Sequence, residues 1–277
     1  MQIHRQIASG EDVVGWLLPE KELACRDVIG HNRDPGSDLI ELCDITVFNK
    51  VLGKAIEFPP PTRIFNADEK PITPDNPSLR RIGDAVGYGR TSQWTVMPFI
   101  NAQGQLISYT IILRGQSVPT ELEAFSNRLK ESYKVNFSLI ATEKGCQTDQ
   151  SLFNELERFI QIVKPTRRDP VLLLLDGHSS RLTSQVQNLL LENNVYCLIF
   201  PSQTSCMLQP LDNGPNAHIE NYYMHEYDAR VVKKPSIPLK NKHRVKLLVR
   251  TMCKLPKNEQ AIRRAWKVVG LPLGVPT

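Results

Sequence analysis

Three aspartates stand where side chains from distant segments of this sequence can meet. Asp68 follows a short strand-like run, and Asp176 ends the uninterrupted apolar run of residues 171–175. Asp212 lies just before a predicted helix. If the two strands are neighbours, their carboxylates emerge at one edge of a sheet, and a helix start packed there adds the third.

A cluster of three carboxylates is suited to hard divalent cations. Mg²⁺ and Mn²⁺ prefer oxygen ligands and retain waters and substrate phosphate around a few carboxylates. Two such ions about 3.5–4 Å apart activate an attacking oxygen and stabilise a leaving one in an in-line displacement at phosphorus. The spacing by itself leaves a plainer alternative open, since an acid at a strand end is often an exposed residue or a helix cap.

The segments around these acids predict an α/β domain. Strand-like runs at 62–67, 92–100 and 105–113 precede a helical pattern at 149–163, and the four residues 101–104 have the composition of a hairpin turn. An apolar strand at 171–175, a helix at 180–192, a strand at 196–200 and a helix near Pro215 follow. This order predicts a mixed sheet with helices on both faces, the order of the ribonuclease H-like fold.

The flanks of this core are predicted to be helical. Residues 37–55 have helical apolar spacing and stop before Pro59-Pro60-Pro61, which cannot continue a helix. We therefore predict an N-terminal helical flank at 1–61, a core at 62–228 and a basic helical segment at 229–277.

Positive charge is concentrated at the C-terminal end. Of 34 Lys and Arg and 29 Asp and Glu, residues 229–277 hold 13 basic residues and one acid, leaving 21 basic and 28 acidic residues before them. This pattern favours a phosphate-rich partner, although a solvated basic helix that binds nothing is equally compatible. The predicted DNA-contacting side chains are Lys240, Lys242, Arg244, Lys246 and Arg250.

Several longer motifs surround the three acids. The most specific are Leu174-Leu175-Asp176-Gly177-His178-Ser179-Ser180 and Leu208-Gln209-Pro210-Leu211-Asp212. They are joined by Phe65-Asn66-Ala67-Asp68-Glu69, by residues 95–104, 113–115 and 201–205, and by a C-terminal stretch around Trp266.

At these motifs the sequence resembles the DDE-superfamily transposases of the pogo, Tigger and jerky group, to which the centromere protein B-like domesticated proteins also belong. The likeness covers about residues 62–271. It implies a ribonuclease H-like catalytic core, a DNA substrate, a nuclear location, two Mg²⁺ or Mn²⁺ ions, and strand cleavage and joining by Asp68, Asp176 and Asp212.

The chain departs from this family pattern at two charged positions. Lys70 stands where the family commonly has Thr, and Glu220 stands eight residues after Asp212, where relatives commonly carry Lys. The family's N-terminal helix-turn-helix domains are not evident in the first 60 or so residues. A domesticated, inactive DNA- or chromatin-binding protein is therefore the alternative to an active transposase or endonuclease.

The remaining candidates carry less weight. His178 could assist proton transfer or hold a phosphate, or it could simply orient the turn after the strand. We expect no organic cofactor, because no Walker or dinucleotide glycine loop is present, and no membrane partner, because no apolar run approaches the length of a bilayer span. DNA is the expected partner, and a homodimer is compatible with it.

Overall fold

A seven-stranded mixed sheet forms the centre of the computed structural model, which describes residues 59–73, 94–176, 183–200, 204–233 and 239–270. Its strands are β1 (Ile64–Ala67), β2 (Lys70–Ile72), β3 (Trp94–Asn101), β4 (Leu106–Arg114), β5 (Phe137–Thr142), β6 (Val171–Leu175) and β7 (Val195–Ile199). The described helices are α1 (Thr120–Tyr133), α2 (Asp149–Val163), α3 (Ser184–Glu192), α4 (Ser205–Leu208), α5 (Pro215–Lys233), α6 (Asn241–Met252) and α7 (Glu259–Val268). Short 3-10 turns lie at Pro61–Arg63, Leu211–Asn213 and Leu255–Asn258.

The strand order is β5-β4-β3-β1-β6-β7, and β2 pairs with the N-terminal residues 94–96 of β3. β3 runs antiparallel to β1 and β4, whereas β6 runs parallel to β1 and β7, and β5 runs parallel to β4. β1 thus joins the antiparallel strands β3 and β4 to the parallel strands β6 and β7. This arrangement confirms the predicted ribonuclease H-like mixed sheet.

The sheet is covered on both faces, as the sequence predicts. Alternate residues of β6 enter two separate cores: Leu172 and Leu174 pack with α1, α5, α6 and α7, while Leu173 packs with α2 and α3. All five residues of β6 are buried. A strand enclosed on both sides needs no polar face, which is why its sequence is a continuous apolar run.

Several element boundaries differ from the sequence predictions. The strand predicted from Thr62 begins at Ile64, because the prolines before it favour a 3-10 turn. Helix α2 begins at Asp149, the first residue of the predicted pattern, and is capped by Thr148, whose hydroxyl accepts the Ser151 N–H at 3.2 Å. The helix predicted at 180–192 is described from Ser184 onward.

The sequence analysis missed β2, α1 and β5. Helix α1 buries only Leu122, Ser126 and Leu129, so its apolar stripe is too thin to stand out. The predicted helix at 37–55 lies outside the described residues. The predicted division after residue 228 falls inside α5, and both α6 and α7 contribute to the same core as α5.

Gly104 closes the β3–β4 hairpin where α7 packs on it. Its φ is +99°, and a Cβ there would lie 2.7 Å from Glu259 Cγ and 2.8 Å from the Glu259 carbonyl oxygen. We expect Gly104→Ala to lower the free energy of unfolding by roughly 2–3 kcal/mol, combining backbone strain with a clash against backbone. Denaturant titration measures this loss.

Gly270→Ala is the matched control, because Gly270 also has a positive φ, +69°, but no atom of the described residues lies within 4 Å of the added Cβ. It should cost only the strain, about 1 kcal/mol. Equal losses in the two variants would show that the contact with α7 does not constrain the turn.

Candidate active site

The first two acids meet at one edge of the sheet. β1 and β6 are parallel neighbours, and Asn66 is opposite Leu174 in their register. Asp68 and Asp176 each follow two residues later, so both leave the carboxyl ends of adjacent strands. The structure therefore brings together the pair that the sequence predicts for this edge.

Asn66 fixes the segment that carries the third acid. Its side chain is fully buried, its Nδ2 donates to the Leu174 carbonyl at 3.0 Å, and its Oδ1 accepts the Leu211 N–H at 3.1 Å. The 3-10 turn that contains Asp212 is thereby bonded to β1 and β6 through one amide. Buried polar groups of this kind are costly unless paired, so the bonds specify where the turn sits.

Asn216 joins two of the carboxylates. Its Nδ2 donates to Asp68 Oδ2 at 2.9 Å and to Asp212 Oδ1 at 3.0 Å. Asn216 lies one helical turn after Asp212, at the start of α5. Gln209 adds a longer contact, 3.4 Å from its Nε2 to Asp212 Oδ2.

Asp176 is held separately. The Ser205 hydroxyl, in α4, donates to Asp176 Oδ1 at 2.8 Å. All three acids nevertheless influence one another through their charges, since the carboxylates of Asp176 and Asp212 both raise the pKa of Asp68. The three side chains therefore form one electrostatic unit at the sheet edge.

Burial and mutual repulsion raise the pKa values of two of these acids, Asp68 and Asp212. Burial, followed by the Asp212 charge, raises the pKa of Asp68 from 3.8 to about 7, against the lowering effect of the Asn216 hydrogen bond. Asp212 lies at the exposed rim, yet partial burial of its carboxyl raises its pKa, and the Asn216 hydrogen bond opposes this shift. Carboxylates with raised pKa values are groups that a bound cation would strongly favour in ionised form.

The donor chemistry fits a hard divalent cation, because the converging groups supply oxygens only. Their spacing is looser than a closed ion site: within the described residues, no group of three His, Cys, Asp or Glu side chains is placed to hold a metal ion. Hydrogen bonds from Asn216 and Ser205 occupy some of the carboxylate oxygens.

A cavity of about 280 Å³ opens beside Asp68 and Asp176. Its polar wall includes Glu69 and Gln147, whose backbone N–H donates to Glu69 Oε2 at 3.3 Å. The Gln147 side chain is 5% exposed, and neither of its amide atoms has a hydrogen-bond partner among the described residues. Its other walls are mainly apolar, so the acid edge borders a half-open cleft with an apolar lining.

The predicted DNA-contacting residues fall on or beside α6. Lys240, Lys242 and Lys246 are exposed, whereas Arg244 is partly buried and donates to Asn241 Oδ1 at 2.6 Å. Arg250 is 3.0 Å from Glu226, a buried acid that Lys254 also contacts. The structure thus exposes four of the five, and one of these, Arg250, also forms an ion pair. His178 lies outside the described residues.

The sequence analysis missed the amides and the hydroxyl that position the acids. They are Asn66, Ser205, Gln209 and Asn216. Helical spacing provides a signal for Asn216, which stands four residues after Asp212. Nothing in the sequence pairs Asn66 with residue 211, because that bond spans 145 positions.

Comparison with known protein families identifies the family to which this chain belongs. The family model described as "DDE superfamily endonuclease" matches residues 91–266, more than half of the chain. The chain belongs to the DDE superfamily endonucleases. The matched range includes Asp176 and Asp212, while Asp68 lies before it. The resemblance inferred from the motifs is thereby confirmed at the level of the family.

Individual proteins match this DDE-superfamily chain at low sequence identity or over a small part of their own length. A protein named "MFS-type transporter clz9" from Cochliobolus lunatus is 31% identical over 144 residues, which cover 50% of the chain and 15% of that protein. The chain thus spans only a small part of that relative's length. Within the described residues, no helix is both long and apolar enough to span a bilayer.

Among solved structures, the chain is similar to the Mos1 transposase. One match is its paired-end complex with the left transposon end, at 18% identity and a TM-score of 0.42, covering 89% of this chain and 68% of that one. Another is its catalytic domain with Raltegravir and Mg, at 13% identity and a TM-score of 0.38, covering 83% of this chain and 93% of that one.

Proposed function

We propose that this DDE-superfamily chain is the catalytic core of a DNA transposase or endonuclease that depends on two divalent ions. The observation that carries the proposal is the convergence of Asp68, Asp176 and Asp212 at one sheet edge, with two of them sharing the Asn216 amide. The family assignment supports the same class of reaction.

In this proposal the three aspartates would hold Mg²⁺ or Mn²⁺, which supply charge stabilisation for displacement at a phosphodiester. The chain's own residues prepare the site. Ser205 orients Asp176, Asn216 keeps Asp68 and Asp212 adjacent, and Asn66 anchors the segment before Asp212. Water would attack one strand and free a 3′ hydroxyl, which would then attack a target strand.

DNA is the proposed partner. The exposed lysines around α6 would contribute sequence-independent, salt-sensitive contacts to phosphates. The Mos1 transposase, to which the chain is similar, has been solved in complex with a transposon end. We further propose a nuclear location, and a homodimer as an assembly to be tested by the mass of the protein in solution.

A domesticated DNA-binding protein without turnover is the second candidate. It is favoured by the present pairing of the acids, which bond to Asn216 and Ser205 without forming a closed ion site in the described residues. In that case the fold and the basic surface would persist while cleavage is lost.

The deciding experiment incubates supercoiled plasmid with the protein and Mn²⁺, comparing wild type with Asp176→Asn. An active core predicts ion-dependent nicking that the substitution removes, since Asn keeps the shape of the side chain but not its charge. DNA binding without nicking by the wild type would instead support the domesticated protein. Nicking that persists in Asp176→Asn would reveal a contaminating nuclease or a different site.

A further inference from the structure

Lys70 and Glu220 form an ion pair beside the acid cluster. Lys70 Nζ lies 2.8 Å from Glu220 Oε2, joining β2 to α5. The side chains are 18% and 29% exposed, so the pair sits at the edge of solvent. Lys70 is two residues after Asp68, and Glu220 is one helical turn after Asn216. Each member of the pair is therefore close in the chain to a residue of the site, Lys70 to Asp68 before β2 and Glu220 to Asn216 in α5.

The ammonium of Lys70 also acts on the acids themselves. Its charge lowers the pKa of Asp212, so Lys70 lies within reach of that carboxylate's field. For the described part of the chain, it is the one cation among the charges that shift the pKa values of Asp68 and Asp212. A phosphodiester entering this acidic edge needs positive charge close by, and Lys70 can supply it.

The bond to Glu220 does not use all the hydrogen-bond donors of the Lys70 ammonium. An ammonium carries three donors, so Lys70 can donate to Glu220 and to a phosphate oxygen together. Stability alone gives little reason for the pair, because partly exposed ion pairs contribute only about 0–1 kcal/mol. The location of the pair suggests a role in binding.

We propose that Lys70 contacts a backbone phosphate of DNA bound at the acid cluster, and that Glu220 positions its ammonium. The inference rests on the proposed function only in taking DNA as the ligand. It also accounts for both departures from the family pattern together. Relatives commonly carry a positive charge at the position of Glu220. In this chain Lys70, in β2, supplies that charge, and Glu220 holds it in place.

The test measures binding of a fluorescent DNA duplex in EDTA over a range of salt concentrations. Lys70→Gln should weaken binding about 3- to 10-fold and reduce the slope of log Kd against log salt by about one. Glu220→Gln keeps an oxygen acceptor for Lys70 and removes an acid, so it should leave affinity equal or tighter. Lys70→Arg should restore both the affinity and the slope.

Lys164→Gln is the control for the loss of one positive charge. Lys164 is exposed at the end of α2, and Arg63, before β1, bonds to the neighbouring Val163, so Lys164 lies away from the acid edge. It should change affinity less than about 2-fold. A purely structural pair predicts that Lys70→Gln and Glu220→Gln lower Tm alike and leave the salt slope unchanged, and that result would overturn the proposal.

The same measurements separate this inference from the proposed catalysis. If the wild type binds DNA without cleaving it, and Lys70→Gln reduces the salt slope, the phosphate contact is supported and the proposed catalysis is rejected. If the wild type cleaves DNA, and Lys70→Gln leaves the salt slope unchanged, only the proposed contact between Lys70 and a phosphate is rejected. If Lys70→Gln does not fold, the double variant Lys70→Gln/Glu220→Gln, which leaves neither charge without its partner, takes its place: a slope reduced by about one supports the proposal, and an unchanged slope contradicts it.

Discussion

Asp68→Asn is expected to abolish cleavage while making the metal-free protein more stable at alkaline pH. Activity should fall at least about 100-fold, because even groups that merely orient a metal ligand contribute 10- to 100-fold. The carboxamide still offers an oxygen to Asn216, so the hydrogen bond at this position can persist. The change therefore removes charge with little effect on shape.

The gain in stability follows from the raised pKa of Asp68. Burial raises that pKa from 3.8 to about 7 in the folded protein, so folding favours the protonated form. The resulting stability is present below pH 4 and is lost as the pH rises through 7. At pH 8 in EDTA we expect Asp68→Asn to be more stable than wild type by about 4 kcal/mol, with little difference at pH 4.

Denaturant titrations at pH 4, 6 and 8, paired with the plasmid assay, measure both effects. Asp169→Asn is the control, since Asp169 pairs with Arg63 before β1, away from the acid edge. It should leave nicking unchanged and give no gain at pH 8. If Asp68→Asn is less stable than wild type at pH 8, the carboxyl does not carry the burial penalty inferred from its surroundings.

The second large effect is expected from Asn66→Leu. This change withdraws the acceptor from the Leu211 N–H and the donor from the Leu174 carbonyl, both at a fully buried position. Removing one partner from a buried hydrogen bond costs about 1–3 kcal/mol, so we expect the free energy of unfolding to fall by roughly 3 kcal/mol. Nicking should fall as well, because the turn that carries Asp212 loses its anchor.

Asn101→Leu separates these two consequences. Asn101 is also buried, in β3, but its side chain bonds to Gln105 within the hairpin and, among the described residues, to no other element. It should cost stability and spare nicking at temperatures where the variant is folded. If the two variants impair nicking equally at matched stability, Asn66 has no particular role in placing Asp212.

The local sequence around the acids was informative because strands and turns impose local rules. The unbroken apolar run ending at Asp176 predicted a strand covered on both faces, and β6 is such a strand. The turn composition of residues 101–104, between two strand-like runs, predicted the β3–β4 hairpin. Helix α1 was missed because its buried stripe is thin, and β2 because three residues are too short for a period to show.

By itself, the sequence of this protein determined the order of its main core elements, the family and the identity of the three candidate acids, since each depends on local composition or on motifs a few residues long. Only the tertiary structure decided how those acids are held: through Asn66, Asn216 and Ser205, and with Lys70 paired to Glu220. The physical reason is that these bonds mostly join residues far apart in the chain. Their partners are chosen by strand pairing and helix packing, which no short segment specifies.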